Sequence, residues 1–479
     1  MTTDLFLKFL NRQEVGDIYE KCLHFLSTNG VTVDHREALK TLGRAGAHVD
    51  FDSQLVRFPR DIIEEALRTV PHEAMLAGHH AERDMVLPHP NGMFYVSNST
   101  GVRLFVEPGT NNYRYVTLAD IAQYGQLTEA LDEIDVSLFL TPDDAPGETA
   151  DIHSMRTILE NTSKHIEVQP WSFESIKYLF ELGATVAGAE TLGKRPVCHI
   201  FSCSISPLIL SDMDTEVILQ ACRLGVPIGA YSLPSAGANS PITIPGTVLL
   251  ASIEILAQLV MSQIFNPGNP VIGGLSSLTL DMSSGKALQD SPESILISAA
   301  FVQFIKEGFH IPTKVTGFGT DSYIPDAQAI EEITLRGILV SLAGGDMLTT
   351  AGRLHSALAM SPVKLIIDNK LARVLKGIKA GTKIDDDSLA WNEILNMEPG
   401  GHYLELPHTL KHCRESLRSG LQVTQPRDTW SAEGGKDMEA RIVEEYQEIK
   451  KTLKPPEVPD DVKKELDRIV KHADKVLVK

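Results

Sequence analysis

Eight short β-prone segments alternate with seven segments of helical length between residues 94 and 352, and this alternation restricts the fold more than any other feature. The β-prone segments cover residues 94–98, 135–140, 165–170, 197–203, 227–233, 270–275, 313–319 and 346–352. The helical segments cover residues 118–131, 149–161, 173–186, 213–224, 247–265, 292–307 and 327–342. Strands separated by helices pair in parallel through right-handed crossovers, and eight such units favour closure. We therefore predict an α/β fold, a (β/α)8 TIM barrel, with a large doubly wound open sheet as the alternative.

The segments on either side of the predicted barrel indicate helical N-terminal and C-terminal extensions, because their apolar residues recur at helical spacing. A proline-rich run at residues 454–459 separates the last helix from the rest. One hairpin is predicted, with residues 102–106 and 113–116 joined across Pro108-Gly109. The chain is divided into a helical N-terminal region (1–92), the barrel (93–355), helical C-terminal elements (356–453), and a linker with the terminal helix (454–479).

Composition narrows the class of protein. The 479 residues are 43% hydrophobic and carry 44 basic against 63 acidic side chains, a net charge of −19, which argues against a nucleic-acid partner. Five scattered cysteines favour a reducing compartment over a disulfide framework. The apolar stretch at residues 247–265 is interrupted by Glu254, Gln258 and Gln263, which favours a buried helix over a membrane span. No signal peptide is evident, so we expect a soluble cytoplasmic protein without a membrane partner.

Functional side chains of such a barrel come from the carboxyl ends of the strands and the loops that follow them. The third strand alternates, so that Glu167 and Gln169 share one face with Trp171 continuing it. The apolar face should pack against helices, which directs the polar face into the barrel. A buried carboxylate there must be paired, because an isolated buried charge is very costly. A purely structural polar network is the alternative for these residues.

Other strand ends add aromatic and charged groups to the same predicted rim. Aromatic faces attract quaternary ammonium groups, and a guanidinium holds a carboxylate through two hydrogen bonds, so the set suits a ligand with a cationic head and an anionic tail. Alternatively, two or more of the aromatic side chains belong to the core. We predict Tyr323, His355 and Asp321 as catalytic residues, and as substrate-binding residues Glu167, Gln169, Trp171, Tyr231, Phe318, Arg353 and Tyr95.

No metal site is predicted. His199 and Cys203 share a face of the fourth strand but lie roughly 13 Å apart at strand rise, too far for one ion. His408 and His412 stand four residues apart beside Cys413, without an obvious further ligand. The sequence also contains no Walker loop and no Gly-x-Ser-x-Gly elbow.

Several motifs, taken in order, make the chain resemble the trimethylamine methyltransferase family of corrinoid-dependent enzymes, in its non-pyrrolysine branch acting on quaternary amines. The segments that carry the resemblance are residues 38–71, 116–120, 273–277, 281–285, 320–328, 400–404 and 407–410. The resemblance implies a barrel that binds a methylated amine and passes one methyl group to Co(I) of a separate corrinoid protein. In the trimethylamine branch a pyrrolysine would fall at or near Tyr323, and this sequence has no such residue. The chain is therefore similar to the relatives without pyrrolysine, which look like demethylases of glycine betaine, proline betaine, carnitine or γ-butyrobetaine.

The resemblance also implies roles and partners. Aromatic side chains would hold the cation, Arg353 or His355 would bind a carboxylate, and Glu167 and Asp321 would face the positive head or orient neighbours. Asp151-x-His153 matches the start of a cobalamin-ligating signature, but Arg156 replaces its glycine, so we expect cobalamin on a partner protein and no tightly bound cofactor here. We also expect a homo-oligomer.

Two other functions stay open on the sequence. The first is a metal-dependent TIM-barrel hydrolase or aldolase, which a stoichiometric metal would support. The second is a non-catalytic betaine-binding protein, which betaine binding without methyl transfer would support.

Overall fold

Eight parallel strands form a closed barrel in the computed structural model, which describes residues 6–98, 101–138, 140–188, 191–415 and 417–478, except the side chain of Leu138. The strands follow one another around the barrel in chain order, and the last pairs with the first. They are β1 Tyr95–Asn98, β2 Val136–Leu138, β3 His165–Val168, β4 Cys198–Ser204, β5 Ile228–Ser232, β6 Val271–Leu275, β7 Thr313–Thr316 and β8 Met347–Ala351. All eight predicted strands and the predicted barrel are confirmed; Phe139, in the second predicted strand, lies outside the described residues.

Several of the helices between strands begin at a residue whose side chain caps them. Thr117, Ser211 and Ser291 are N-caps whose side chains accept a backbone N–H of the helix, which satisfies donors that a helix start leaves open. The α-helices are α1 Arg12–Thr28, α2 Arg36–Arg44, α3 Arg60–Thr69, α4 Leu118–Ala130, α5 Ala150–Asn161, α6 Ile176–Ala187, α7 Asp212–Leu224, α8 Ile244–Phe265, α9 Pro292–Phe304, α10 Ala327–Leu342, α11 Pro362–Ala380, α12 Trp391–Leu395, α13 Pro407–His412, α14 Arg427–Ala432, α15 Met438–Thr452 and α16 Asp460–Leu477.

Helix α8 is long and apolar enough to cross a membrane, but 78% of its most apolar window is buried in the protein. The acidic residue of this apolar helix, Glu254, is stabilised by hydrogen bonds to its carboxylate. Glu254 is buried and accepts hydrogen bonds from Ser204 Oγ, Ser206 Oγ and the Leu208 backbone, each 2.8 Å long. It also accepts one from Ser232 Oγ at 2.5 Å. Glu254 therefore ties the carboxyl ends of β4 and β5 to the helix that covers them.

The N-terminal region contains the predicted helices and also five short strands that were not predicted. Three of them, Val31–Val33, His48–Asp50 and Leu55–Arg57, form a sheet with Ile209–Leu210 from the loop after β4. Strands of three residues are too short to produce a visible alternation, so the sequence pattern could not reveal them.

The other two N-terminal strands, Ala74–Leu76 and Met85–Leu87, form a hairpin that covers the amino end of the barrel. Leu76, Met85 and Leu87 are buried in one cluster with residues at the amino ends of the barrel strands, Val136, Ile272 and Met347. Because this apolar layer fills that end, the described structure leaves the carboxyl end as the side from which a ligand can approach the lumen.

The segments beyond the barrel build on its rim and its outer surface. The predicted hairpin is confirmed as Leu104–Val106 and Tyr113–Tyr115, and it continues into a sheet with Arg353–Leu354 and Ala359–Met360 beside the loop after β8. Helix α11, in the region predicted as helical C-terminal elements, packs against α10 and β8, so it completes the ring of eight barrel helices. Helix α15 packs against α11, and α16 packs against α5 and α6.

Replacing Leu87 with Ala should destabilise the protein by about 3 kcal/mol, because the truncation leaves a cavity in the apolar layer at the amino end. The measurement is the free energy of unfolding in urea. Val86→Ala is the matched control, since Val86 is on the same strand and only half-buried, and it should cost less than about 1.5 kcal/mol. Equal effects of the two substitutions would show that the hairpin does not pack as described.

Candidate active site

A buried acid and a buried lysine meet in the middle of the barrel. Glu167 on β3 and Lys314 on β7 stand on opposite strands, and Lys314 Nζ contacts Glu167 Oε2. Both side chains are essentially inaccessible to solvent. Burial lowers the pKa of Lys314 well below its ordinary value, because the charged form loses its hydration. The pair as a whole therefore adds no net charge to the lumen, whether the proton is on Lys314 Nζ or on the Glu167 carboxyl group.

Two aromatic rings flank this ion pair. The Phe201 and Tyr231 centroids, from β4 and β5, lie 5.1 Å apart. Lys314 Nζ is 5.7 Å from the Phe201 centroid and 5.0 Å from the Tyr231 centroid, which is the geometry of a cation over aromatic faces. A Cβ at Gly274, the neighbour on β6, would come within 2.2 Å of the Tyr231 ring. Glycine at that position is what lets the tyrosine ring lie across the lumen.

A pair of neutral histidines forms the floor beside Glu167. His165 Nδ1 lies 2.9 Å from the Ala77 carbonyl, which can only accept, so the proton is on Nδ1. Burial lowers the pKa of His165 to about 4, and that of His199 falls well below its ordinary value for the same reason. His165 Nε2 then accepts from His199 Nδ1 at 2.8 Å. His199 Nε2 is left with a lone pair 3.9 Å from Glu167 Oε2.

The lumen opens to solvent at the carboxyl end of β4. Phe201 and Cys203 face the lumen and are half-buried, whereas Ser202 and Ser204 between and beyond them are buried under the helices. Side chains that face the interior of a closed barrel gain exposure only where the lumen reaches water. The aromatic pair therefore lies between the buried ion pair and the mouth.

A second aromatic group stands on the rim after β7 and β8. Tyr323 is 52% exposed, and its ring centroid lies 4.6 Å from that of His355. Lys286 Nζ sits 5.0 Å from the Tyr323 ring, and Tyr113 of the rim hairpin donates its hydroxyl to the Tyr323 carbonyl. Partial burial and the nearby Lys286 lower the pKa of His355. Tyr323 and His355 are thus brought together, as the sequence predicts.

Asp321 fastens the rim loops to one another. Its carboxylate accepts the backbone N–H of Gln289 at 3.0 Å and of Asp290 at 2.9 Å, and the Ser356 hydroxyl at 2.5 Å. These contacts join the loops after β6, β7 and β8. Asp321 therefore positions the rim loops in the described structure, and its catalytic role stays a prediction.

The remaining predicted site residues are scattered. Phe318 is fully buried in the main core, because β7 ends at Thr316 and the backbone turns before residue 318. Tyr95 lies at the amino end, where its ring contacts His89 at 4.9 Å. Trp171 is half-buried and its backbone N–H donates to Asp151 Oδ2 at 3.0 Å, while Gln169 precedes it at the mouth end of β3.

Arg353 is also placed away from the lumen. It is fully buried, and its Nη1 donates to the Ala357 carbonyl at 3.1 Å. Burial lowers the pKa of Arg353 to about 9. A guanidinium held inside the loop after β8 supports the backbone of the rim, so the structure does not present it as an open carboxylate receptor.

Sequence reasoning missed Lys314 and Phe201 and dismissed His199. The signal for Lys314 was available, since a lysine inside a buried barrel strand is rare unless it is paired. Side chains two residues apart on a strand point to the same face, so Lys314 shares the lumen face of β7 with Thr316. Among the described residues, no group of three or more His, Cys, Asp and Glu side chains could hold a metal ion.

Comparison with known proteins identifies relatives over nearly the whole chain. Residues 2–476 match the family model described as trimethylamine methyltransferase (MTTB). Trimethylamine methyltransferase MttB of Desulfitobacterium hafniense (strain DSM 10664 / DCB-2) is 32% identical over 96% of this chain and 93% of the relative. Glycine betaine methyltransferase of Desulfitobacterium hafniense (strain Y51) is 27% identical over 96% of both.

A solved structure supports the fold alone. The monomethylamine methyltransferase MtmB of Methanosarcina barkeri matches with a TM-score of 0.55 at 11% identity, covering 95% of this chain and 91% of that one.

The histidine pair should make the protein sensitive to acid. The folded pKa of His165 lies near 4, below its ordinary value of 6.5, so its contribution to stability is complete above pH 6.5 and is lost as the pH falls towards 4. His165→Gln, which removes this titration, should flatten the fall in unfolding free energy by about 1 kcal/mol per pH unit in that window. Urea unfolding from pH 7 to 4 measures it. His24→Gln on the exposed face of α1 is the control and should leave the slope unchanged.

Proposed function

The chain belongs to the trimethylamine methyltransferase family and is an enzyme of methyl transfer, and from this premise we propose its substrates. The donor is a quaternary amine that also carries a carboxylate, such as glycine betaine. The acceptor is Co(I) of a corrinoid held by a separate protein. The named relatives include one that acts on trimethylamine and one that acts on glycine betaine.

The buried pair Glu167–Lys314 is the observation that supports a betaine as the substrate. A betaine has one positive and one negative group, as the lumen has, so it can enter by exchanging partners without leaving a net buried charge. Its ammonium would face Glu167 and the rings of Phe201 and Tyr231, and its carboxylate would face Lys314. A singly charged amine would leave one member of the pair uncompensated, which is costly away from water.

The chemistry of the donor fits a site without a general acid. In methyl transfer the N–CH3 bond breaks and its electron pair stays on nitrogen, so a quaternary ammonium departs as a neutral tertiary amine. Co(I) supplies the two electrons of the new bond to the methyl carbon. The protein's part is to hold the methyl group in line and to exclude water. Neutral His165 and His199 support this role, because they fix the floor without adding charge.

The exposed rim suits a protein partner that delivers the corrinoid. Several large apolar side chains surround the mouth in the loops after β4 to β8, each at least 44% exposed. They are Ile205, Leu233, Ile242, Met282, Tyr323 and Leu358. Apolar side chains gathered around a concave site are typical of interaction surfaces.

All five cysteines are unpaired, which favours the reducing cytoplasm as the compartment.

Replacing Lys314 with Met should remove the carboxylate partner and lower kcat/KM for glycine betaine about 100-fold or more. The ratio of kcat/KM for glycine betaine over tetramethylammonium should fall as well, since only the first has a carboxylate. Conversion of Co(I) to methyl-Co(III), followed by absorbance, measures both. Lys177→Met, the same substitution on an exposed lysine of α6, is the control. An unchanged substrate ratio in Lys314→Met would refute the assignment.

A substrate panel tests the reaction itself. With reduced corrinoid protein supplied, glycine betaine, proline betaine, carnitine and γ-butyrobetaine are compared with trimethylamine. We expect methylation of cobalt with at least one betaine and none with trimethylamine. Turnover of trimethylamine would overturn the substrate class. Betaine binding without any cobalt methylation would favour a binding protein, and a required stoichiometric metal would favour a metal-dependent hydrolase or aldolase.

A further inference from the structure

One long segment after the barrel buries none of its residues against the part of the chain that the structure describes. Residues 382–415, called the arm below, carry α12 and α13 and contain no buried residue. Eight of the arm's large apolar side chains are exposed, from Tyr403 at 43% to Leu404 at 79%. A helical segment of this kind has no core of its own, and most of the stability of helices comes from packing an apolar face.

The arm is also separate in its hydrogen bonds. In the described part of the chain, the hydrogen bonds and ion pairs of residues 382–415 join arm residues to one another. Asp387 is their centre: it accepts from Lys411 Nζ at 2.6 Å, and its backbone carbonyl lies 2.9 Å from His408 Nε2. The arm therefore holds a defined shape while offering its apolar side chains outward.

The exposed apolar area matches the needs of a subunit interface. Side chains of this size expose together on the order of 1,000 Å², compared with ~800 Å² per partner in a standard interface. The largest apolar patch on a typical monomer is only about 300–600 Å². Such an area calls for a permanent partner, and a second copy of the chain is always present at matching concentration.

The same chain offers a complementary groove. It lies between α9 and α10, encloses about 540 Å³, and has an apolar floor that includes Leu296, Leu335 and Leu339. Four acidic residues line it: Asp290 is paired with Arg336 and Asp321 holds the rim loops, so Glu331 and Glu332 supply the negative charge at its edge. Glu331 is exposed at its edge, and no described residue forms an ion pair with it. Arm residues line no described part of this groove in their own chain.

The end of the arm has the opposite character. Leu410 is 77% exposed, and Arg414 and Arg418 follow it, both exposed and without an ion pair in the described structure. Leu417 lies between them, just beyond the arm, and its half-exposed side chain borders Gly377 of α11 in the same chain. We propose that the end of the arm of one copy, together with Arg418 just beyond it, lies in the α9–α10 groove of a second copy, with Leu410 on the floor and the two arginines facing the acidic edge.

The oligomeric state of the full-length protein tests the role of the arm. Light scattering after gel filtration should give at least twice 52.5 kDa for the native chain, and 52.5 kDa for Leu404→Asp with Leu410→Asp. Circular dichroism should be unchanged, since both side chains are exposed. Leu224→Asp, an exposed leucine on α7, is the control and should leave the mass unchanged. A monomeric native chain, or an unchanged oligomer of the double variant, would overturn the proposal.

A disulfide trap tests the groove as the docking place. Cys413 is the exposed cysteine of the arm, so Glu331→Cys adds a second thiol at the groove edge. Diamide should oxidise the two thiols to an intermolecular disulfide, seen as a dimer on a non-reducing gel. The same variant with Cys413→Ser should give at least ten-fold less dimer. Oligomers that form no such disulfide would show that the arm docks elsewhere and would overturn this assignment.

A charge exchange gives an independent reading. Glu331→Arg and Arg414→Glu should each raise the dissociation constant of the oligomer about ten-fold, because each places like charges together. The combined variant should restore it to within about three-fold of the native value. Additive losses in the combined variant would contradict the pairing of these two side chains.

Discussion

The ion pair between Glu167 and Lys314 is the contact around which the barrel interior is arranged. Two charges buried this deeply are tolerated only when each is the other's partner, and removing one leaves a strongly unfavourable charge. The neighbours respect that requirement. The histidines beside Glu167 stay neutral, Phe201 and Tyr231 turn their faces towards the ammonium, and Gly274 leaves room for the tyrosine ring.

The fold could be predicted because it follows from the periodicity of apolar residues along the chain. The site could be predicted only in part, because it depends on which face of a strand each side chain is on and on where each strand ends. Eight strands were visible from their spacing, and Glu167 from the alternation of its strand. Phe318 was misplaced because β7 ends two residues earlier, which moves that ring from the lumen into the core. Arg353 follows β8 in sequence, but its guanidinium is buried inside the loop after that strand. The local sequence pattern does not indicate the direction of this side chain.

Partners across the lumen were harder to find than partners along a strand. Glu167 and Lys314 are 147 positions apart and meet only because their strands stand opposite each other in a closed barrel, with three strands between them on either side. The same limit applies to the arm. Its helices were indicated by the sequence, but a pattern of apolar residues says that a face must be covered and not whether the cover belongs to the same chain.

The loop after β8 holds three consecutive non-glycine residues, His355, Ser356 and Ala357, in the left-handed region, with φ of +56°, +51° and +65°. Each costs roughly 1 kcal/mol relative to the ordinary conformation. Asp321 and the backbone of Thr320 and Ser322 keep them there through hydrogen bonds. The rim beside Tyr323 is therefore strained and clamped, a combination that is common at functional sites.

The hairpin that fills the amino end of the barrel leaves the carboxyl end as the way into and out of the lumen. Under the proposed reaction, the amine must enter and its demethylated product must leave through the same mouth that the corrinoid protein covers. This imposes a sequence of events: the amine binds first, the corrinoid protein second, and the product departs only after that protein has withdrawn. Under the same proposal, a corrinoid protein that binds before the amine covers the mouth, so an excess of the methyl acceptor would slow the reaction.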